Sequence, residues 1–305
     1  MKKAFSLVEL LVVIGIIGVL SAVLLVATGG VGERARAVKC IANMKSLATA
    51  ANASASGGIY PYAQSAPSYG TDESRSGTGL SFGVNKGWIS WLDEGVDYSR
   101  ASSDPSYPQP SFAGTVDEIR HALTNGAIWR AIGGRSDCYR CPVHVSACQK
   151  AGVESPGWSY QMNAYFGYDE GAAVRSGSGV ESGSVGKGDR VLMFAEIPAV
   201  TMSAKVQSAT GVSALPDVKL NGGSGDAAMD GCLRYKSSGG NESIGFNHLS
   251  GKRLVGHVAF ADGHVESFAA PKNGGFLDLT DWLCQGKDVV YVNGSYQKAN
   301  DSSVE

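Results

Sequence analysis

Two stretches of the chain concentrate side chains that bind metals or exchange protons. In CYRCPVHVSAC, Cys138, Cys141, His144 and Cys148 follow the spacing C-x2-C-x2-H-x3-C. Thiolates and an imidazole so placed could close a tetrahedral zinc site, but at least one disulfide through Cys138, Cys141 or Cys148 is the expectation. In GHVAFADGHVESF, His257, Asp262 and His264 crowd one short segment, with His248 upstream. That set offers nitrogen and oxygen ligands to zinc or another transition ion. It also has a plainer account, in which His257 and His264 face each other across a turn and Asp262 serves the turn itself. No nucleophile elbow, phosphate loop or metallopeptidase helix occurs, and Glu170, Glu181, Glu196 and Glu266 stand as isolated carboxylates. The expectation is a protein that is not an enzyme.

The elements that must hold these residues are partly legible. Val258, Phe260, Val265 and Phe268 flank Asp262-Gly263, which predicts a β-hairpin with Gly263 at positive φ. Helical periodicity runs through ERARAVKCIANMKSLATAANASA, with Val38, Ile41, Met44, Leu47 and Ala51 on one face that should pack against a globular body. Arg34, Arg36, Lys39 and Lys45 read as a solvated face of that helix, or as contacts to anionic lipid headgroups. Gly29, Gly30 and Gly32 predict a kink or melted turn ahead of it, because glycine weakens a helix. From Tyr60 to about Pro110 the chain is rich in Ser, Gly, Tyr and Pro and reads as loops and short strands. Trp88 and Trp91, within it, fit buried packing or a partner or glycan contact.

The amino terminus, MKKAFSLVELLVVIGIIGVL, raises a separate question: Glu9 sits at the edge of a run, Leu10 to Gly32, that carries no charge. Such a run is long enough to cross a bilayer as a helix of ~20 residues. A carboxylate near hydrocarbon costs ~2.5 kcal/mol or more unless it is paired, protonated or at an interface. A cleaved signal peptide would have a shorter apolar core and a small-residue site after it, which Val26 and Ala27 do not supply. A plain anchor, with Lys2 and Lys3 kept in the cytoplasm, explains length and orientation but not Glu9.

The string KAFSLVELLVVIGIIGVLSAVLL resembles the start of type IV prepilins and type II secretion pseudopilins. That resemblance implies cleavage between Ala4 and Phe5 by a prepilin peptidase, methylation of the new amine, and Glu9 as the fifth mature residue. Alanine replaces the usual glycine before the cut. In a filament the Phe5 amine of one subunit can then meet the Glu9 carboxylate of its neighbour, which removes two desolvation costs together and favours one axial register. Cys40, the NMK triplet and GGIYPY also fit the pseudopilin pattern. The hairpin resembles a processing-associated motif of a large prepilin-like family, H-X9-DG, formed here by His248, Asp262, Gly263 and His264. Thirteen residues separate His248 from Asp262, so an extended loop at Ser250 to Arg253 is expected. CYRCPVH, SYQMNAYFG and DRVLMFAEIP agree with that family in order. Some secretion pseudopilins bind calcium, which makes Asp262 with loop carbonyls an oxygen site on this resemblance.

Composition fits an exported body. The chain has 305 residues, 41 glycines, only 18% charged residues and a net charge of -2, which gives no sign of a nucleic-acid partner. Six cysteines lie beyond the apolar run, where an oxidising compartment permits disulfides. The expected fold class is α+β, with a long N-terminal helix, its first half transmembrane, packed on an exported β-rich pilin-like domain. The expected divisions are a leader over 1–4, a transmembrane helix over 5–32, the exported half of the helix over 33–56, and a β-rich domain over 57–305. The expected function is a structural subunit of a pilus or pseudopilus. It would be held in the bacterial inner membrane with its N-terminus cytoplasmic, and its partners would be the peptidase/methylase and other pilin subunits. The alternative is a membrane-tethered binding protein that does not polymerise. No cofactor is expected, calcium and zinc being the alternatives that the residues suggest.

Overall fold

The computed structural model describes residues 7–28, 31–55, 58–63, 87–90, 116–150, 157–167, 180, 182–185, 187–198, 231–236, 242–272 and 275–299. Helix α1 (Leu7–Thr28) is followed by α2 (Val31–Ala53), α3 (Val116–Asn125), α4 (Pro142–Lys150) and α5 (Phe276–Cys284). The strands are β1 (Tyr160–Asn163), β2 (Leu192–Glu196), β3 (Cys232–Leu233), β4 (His248–Ser250), β5 (Arg253–Phe260), β6 (Val265–Ala269), β7 (Val289–Val292) and β8 (Ser295–Lys298). The architecture is α+β, an N-terminal helical stem on a β-sheet domain. Gly29 and Gly30, where a kink is expected, lie outside the described residues, and Gly32 is already helical.

Among the described residues the apolar side chains of α1 are exposed: Leu7, Leu10, Ile14, Ile17 and Leu20 are all at least 57% exposed. Among the described residues no helix is long and apolar enough to cross a membrane. The side chains of α1 are described from Leu7 to Ser21, which at 1.5 Å per residue is about 22 Å of helix.

Helix α2 lies on the sheet and buries Cys40, Asn43, Met44, Leu47, Ala48 and Ala51. The expected face is therefore rotated, since Val38 is 64% exposed and Ile41 only half-buried. The reason is polar: Cys40 and Asn43 make hydrogen bonds inside the domain and take the helix face that hydrophobicity alone would assign elsewhere. Asn43 Nδ2 donates to Arg140 O at 3.0 Å, and Asn52 Nδ2 to Ala261 O at 3.0 Å, which fastens both ends of the buried stripe. Two of the basic residues have acidic partners, Arg36 with Glu33 at 2.8 Å and Lys39 with Asp137 at 3.0 Å.

The sheet has the order β3-β1-β2-β5-β4, with β6 also on β5. Strand β6 pairs along Val255–Ala259, so β2 and β4 must share the other edge of β5. Strand β2 takes Val258–Phe260 and β4 takes Arg253–Val255. The β5–β6 hairpin is as the sequence predicts: Gly263 has φ 92° and its N–H donates to Phe260 O at 2.9 Å. Residues Ser250 to Arg253, expected as an extended loop, correct that expectation. They form a tight turn through Gly251 (φ 62°) that joins β4 to β5, so the longer spacer is a second hairpin in place of a loop.

Trp88 is fully buried, stacked on Tyr139 at 5.8 Å and edge-on to Phe194 at 5.1 Å, with Nε1 donating to Gly231 O. Trp91 lies outside the described residues. The C-terminal segment, unassigned from sequence, forms α5 and a β7–β8 hairpin turned by Asn293 (φ 51°) and Gly294 (φ 87°). Asn-Gly between VVYV and SYQK is a strong two-residue turn signal that identifies this hairpin.

Candidate functional site

Four side chains from four elements meet in the interior. Cys40 comes from the buried stripe of α2. Cys141 stands immediately before Pro142, which opens α4 because a proline at the first helical position forfeits no hydrogen bond. Glu196 ends β2 and His248 begins β4, and both reach the same place because those strands share one edge of β5. All four are fully buried.

Their donor atoms converge on one point. Cys40 Sγ lies 2.6 Å from Glu196 Oε1, and His248 Nε2 lies 2.8 Å from the same oxygen. Cys141 Sγ is 3.5 Å from His248 Nε2, and Cys40 Sγ is 3.3 Å from Tyr160 Oη. One ligand atom from each of Cys40, Cys141, Glu196 and His248 falls within 4.8 Å of every other, and among the described residues these four could hold an ion together. Glu196 Oε2 and His248 Nδ1, both buried, have no hydrogen-bond partner among the described residues. The His248 ring is held by His257, whose centroid is 4.6 Å away.

Burial sets the electrostatics. It pushes the Cys40 thiol well above its ordinary range, and Cys141 and Glu196 push it further. Cys141 is lowered, because the neighbouring Cys40 and the His248 imidazole together favour its thiolate against burial and the repulsion of Glu196. Burial opposes an imidazolium at His248, but hydrogen bonds with Cys141 and Glu196 win and raise it.

The residues singled out from sequence are distributed differently. Cys138 and Cys141 are free thiols, and Cys141 meets Cys40 in place of Cys138 or His144; the side chain of Cys148 lies outside the described residues. His144 is turned to Ser159, with Nδ1 2.9 Å from Oγ, so the C-x2-C-x2-H-x3-C ligand set is not assembled. His257 and His264 do not face each other. His257 lies opposite Ser267 and bonds its Oγ at 2.8 Å, whereas His264 stacks on Phe260 and pairs with Asp262 at 2.6 Å. Asp262 also accepts the His264 backbone N–H, which commits Oδ1 to the turn. Cys40, read only as part of the helix pattern, and Glu196, an isolated carboxylate in sequence, are the residues that sequence reasoning missed as ligands, and Glu196 carried a signal. Its signal was its place at the end of LMFAE, a wholly buried strand where a carboxylate needs partners.

Ala4 and Phe5 lie outside the described residues, while Glu9 is exposed on the first turn of α1. Residues 1–25 match the prokaryotic N-terminal methylation motif. No curated protein and no solved structure matches the chain.

Proposed function

We propose that this chain is a structural subunit that is cut between Ala4 and Phe5, methylated on the Phe5 amine and assembled into a type IV pilus or type II secretion pseudopilus. The observation that carries the reading is the methylation motif over residues 1–25. It stands at the head of a helix whose apolar side chains are exposed along the chain's own surface. Such a surface favours lipid before assembly and neighbouring helices after it. The reading places Leu10–Gly32 across the inner membrane, with Lys2 and Lys3 on the cytoplasmic side and residues 33–305 periplasmic or in the filament. Its partners are a prepilin peptidase that methylates and further pilin subunits, and its role is mechanical in place of catalytic.

N-terminal peptide mass spectrometry of the protein from cells that hold the peptidase tests the reading. The expected peptide starts at Phe5 with a methylated amine. Retained Met1, or a start after Ala27, would overturn it.

A further inference from the structure

We infer that Cys40, Cys141, Glu196 and His248 form a structural zinc site that fastens the helical stem to the sheet. The inference stands whether or not the chain polymerises. Its first support is the donor set, two sulfurs, one imidazole nitrogen and one carboxylate oxygen, all within 4.8 Å of one another and all fully buried. Zinc takes this mixture in tetrahedral sites, with metal–sulfur bonds of ~2.3 Å and metal–nitrogen or metal–oxygen bonds of ~2.0–2.2 Å. Those lengths place neighbouring ligand atoms ~3.3–3.8 Å apart; Cys141 Sγ and His248 Nε2 stand 3.5 Å apart, while Glu196 Oε1, 2.6 Å from Cys40 Sγ and 2.8 Å from His248 Nε2, must move outward by up to about 1 Å to admit the ion. Calcium is excluded here, since it takes six to eight oxygens.

The second support is the pattern of contacts. Cys40 and His248 both converge on Glu196 Oε1, while among the described residues Glu196 Oε2 is buried without a hydrogen-bond partner. An orphaned carboxylate oxygen is costly in the interior, and a cation at the shared point would neutralise the group that bears it. The third support is connectivity. Cys40 and Glu196 lie 156 residues apart, Cys141 and His248 lie 107 apart, and each ligand comes from a different element. An ion held by all four would close long loops and tie α2 to both strands on the β5 edge.

Binding balances simply. Zinc enters as the dication, Cys40 and Cys141 bind as thiolates, Glu196 as carboxylate and His248 as the neutral imidazole through Nε2, and every proton that these groups carry beforehand, the imidazolium proton of His248 included, leaves to solvent. No electrons move.

The test uses the full-length chain, extracted from membranes in detergent with no added metal. Elemental analysis should find zinc at one equivalent per chain, and non-reducing peptide mapping should find Cys40 and Cys141 unjoined. C141S and H248A should lose that zinc, whereas C138S, at a free thiol outside the quartet, should keep it. Should the ligand variants fail to fold, the wild type still decides. Exchange of its metal for cobalt should produce a thiolate-to-cobalt charge-transfer band and the strong visible absorption of a tetrahedral ion. A Cys40–Cys141 disulfide, a metal-free reduced chain, zinc that survives in both ligand variants, or a cobalt protein without the charge-transfer band would each overturn the inference.

Discussion

Gly263 and Gly256 need to be glycine for opposite reasons. Gly263 has φ 92° and open space where a Cβ would stand, so a side chain there is penalised by backbone conformation alone. Gly256 carries no such φ, but its added Cβ would lie 2.1 Å from Gly245 O, a backbone atom that cannot rotate away. Gly263→Val is therefore expected to cost about 1–2 kcal/mol, and Gly263→Asn clearly less, because asparagine tolerates the left-handed region. Gly256→Ala should cost about 2–3 kcal/mol despite adding a single methyl. Urea unfolding of residues 33–305 checks both, and equal midpoints for Gly263→Val and wild type would remove the turn argument. His144 gives a pH dependence at the same scale. Burial lowers it from 6.5 to about 4, so between those values the unfolded chain binds a proton that the folded chain refuses. Its contribution is present above the unfolded pKa and fades as pH falls. Between pH 7 and pH 5 the loss is about 2 kcal/mol. His144→Asn should flatten that part of the stability-versus-pH curve.

At the scale of elements, α2 is decided by which of its faces meets the sheet. Leu47 is fully buried and Val38 is 64% exposed, although both fit one apolar stripe by spacing. Leu47→Ala is expected to cost about 2–5 kcal/mol and Val38→Ser less than about 0.5 kcal/mol. Comparable losses at the two positions would mean that the helix sits in the register periodicity alone suggests. Strand β1 makes the complementary point, because YQMN is polar yet buried throughout. Each polar member has work for its hydrogen bonds: Tyr160 at Cys40, Gln161 at Ser243 O, and Asn163 at Leu192 O and Cys284 O. Asn163 thereby satisfies a carbonyl at the end of α5, where helical partners run out.

For the molecule as a whole, the stem and the sheet domain treat their apolar residues differently. The domain buries its apolar residues within the chain, while α1 presents Leu7 to Leu20 outward with Glu9 among them. On the assembly reading, Glu9→Ala should leave membrane insertion intact or slightly improved, since it removes a charge from an apolar helix. Incorporation into filaments should fall by a few kcal/mol, about 3 in the range for breaking a buried ion pair. Glu9→Gln keeps the shape without the charge and should fail nearly as far. Sheared or cross-linked filament measured against membrane-pool subunit reports this. Wild-type filament from both variants would favour a tethered protein that does not polymerise.

What the sequence determined by itself is local in the chain. The methylation motif is a contiguous string, so it can be recognised without a fold. The β5–β6 hairpin is written in adjacent residues, because alternation and an Asp-Gly pair act through neighbouring dihedral angles. The Asn293-Gly294 hairpin was legible by the same logic. The quartet was not, since 156 residues separate Cys40 from Glu196 and 52 separate Glu196 from His248. No spacing rule links them. They meet because β2 and β4 divide one edge of β5 and because α2 docks with Cys40 facing that division. Strand register and helix docking are settled by packing and hydrogen bonds between distant segments, so the tertiary structure alone turns an isolated glutamate and scattered cysteines into one site.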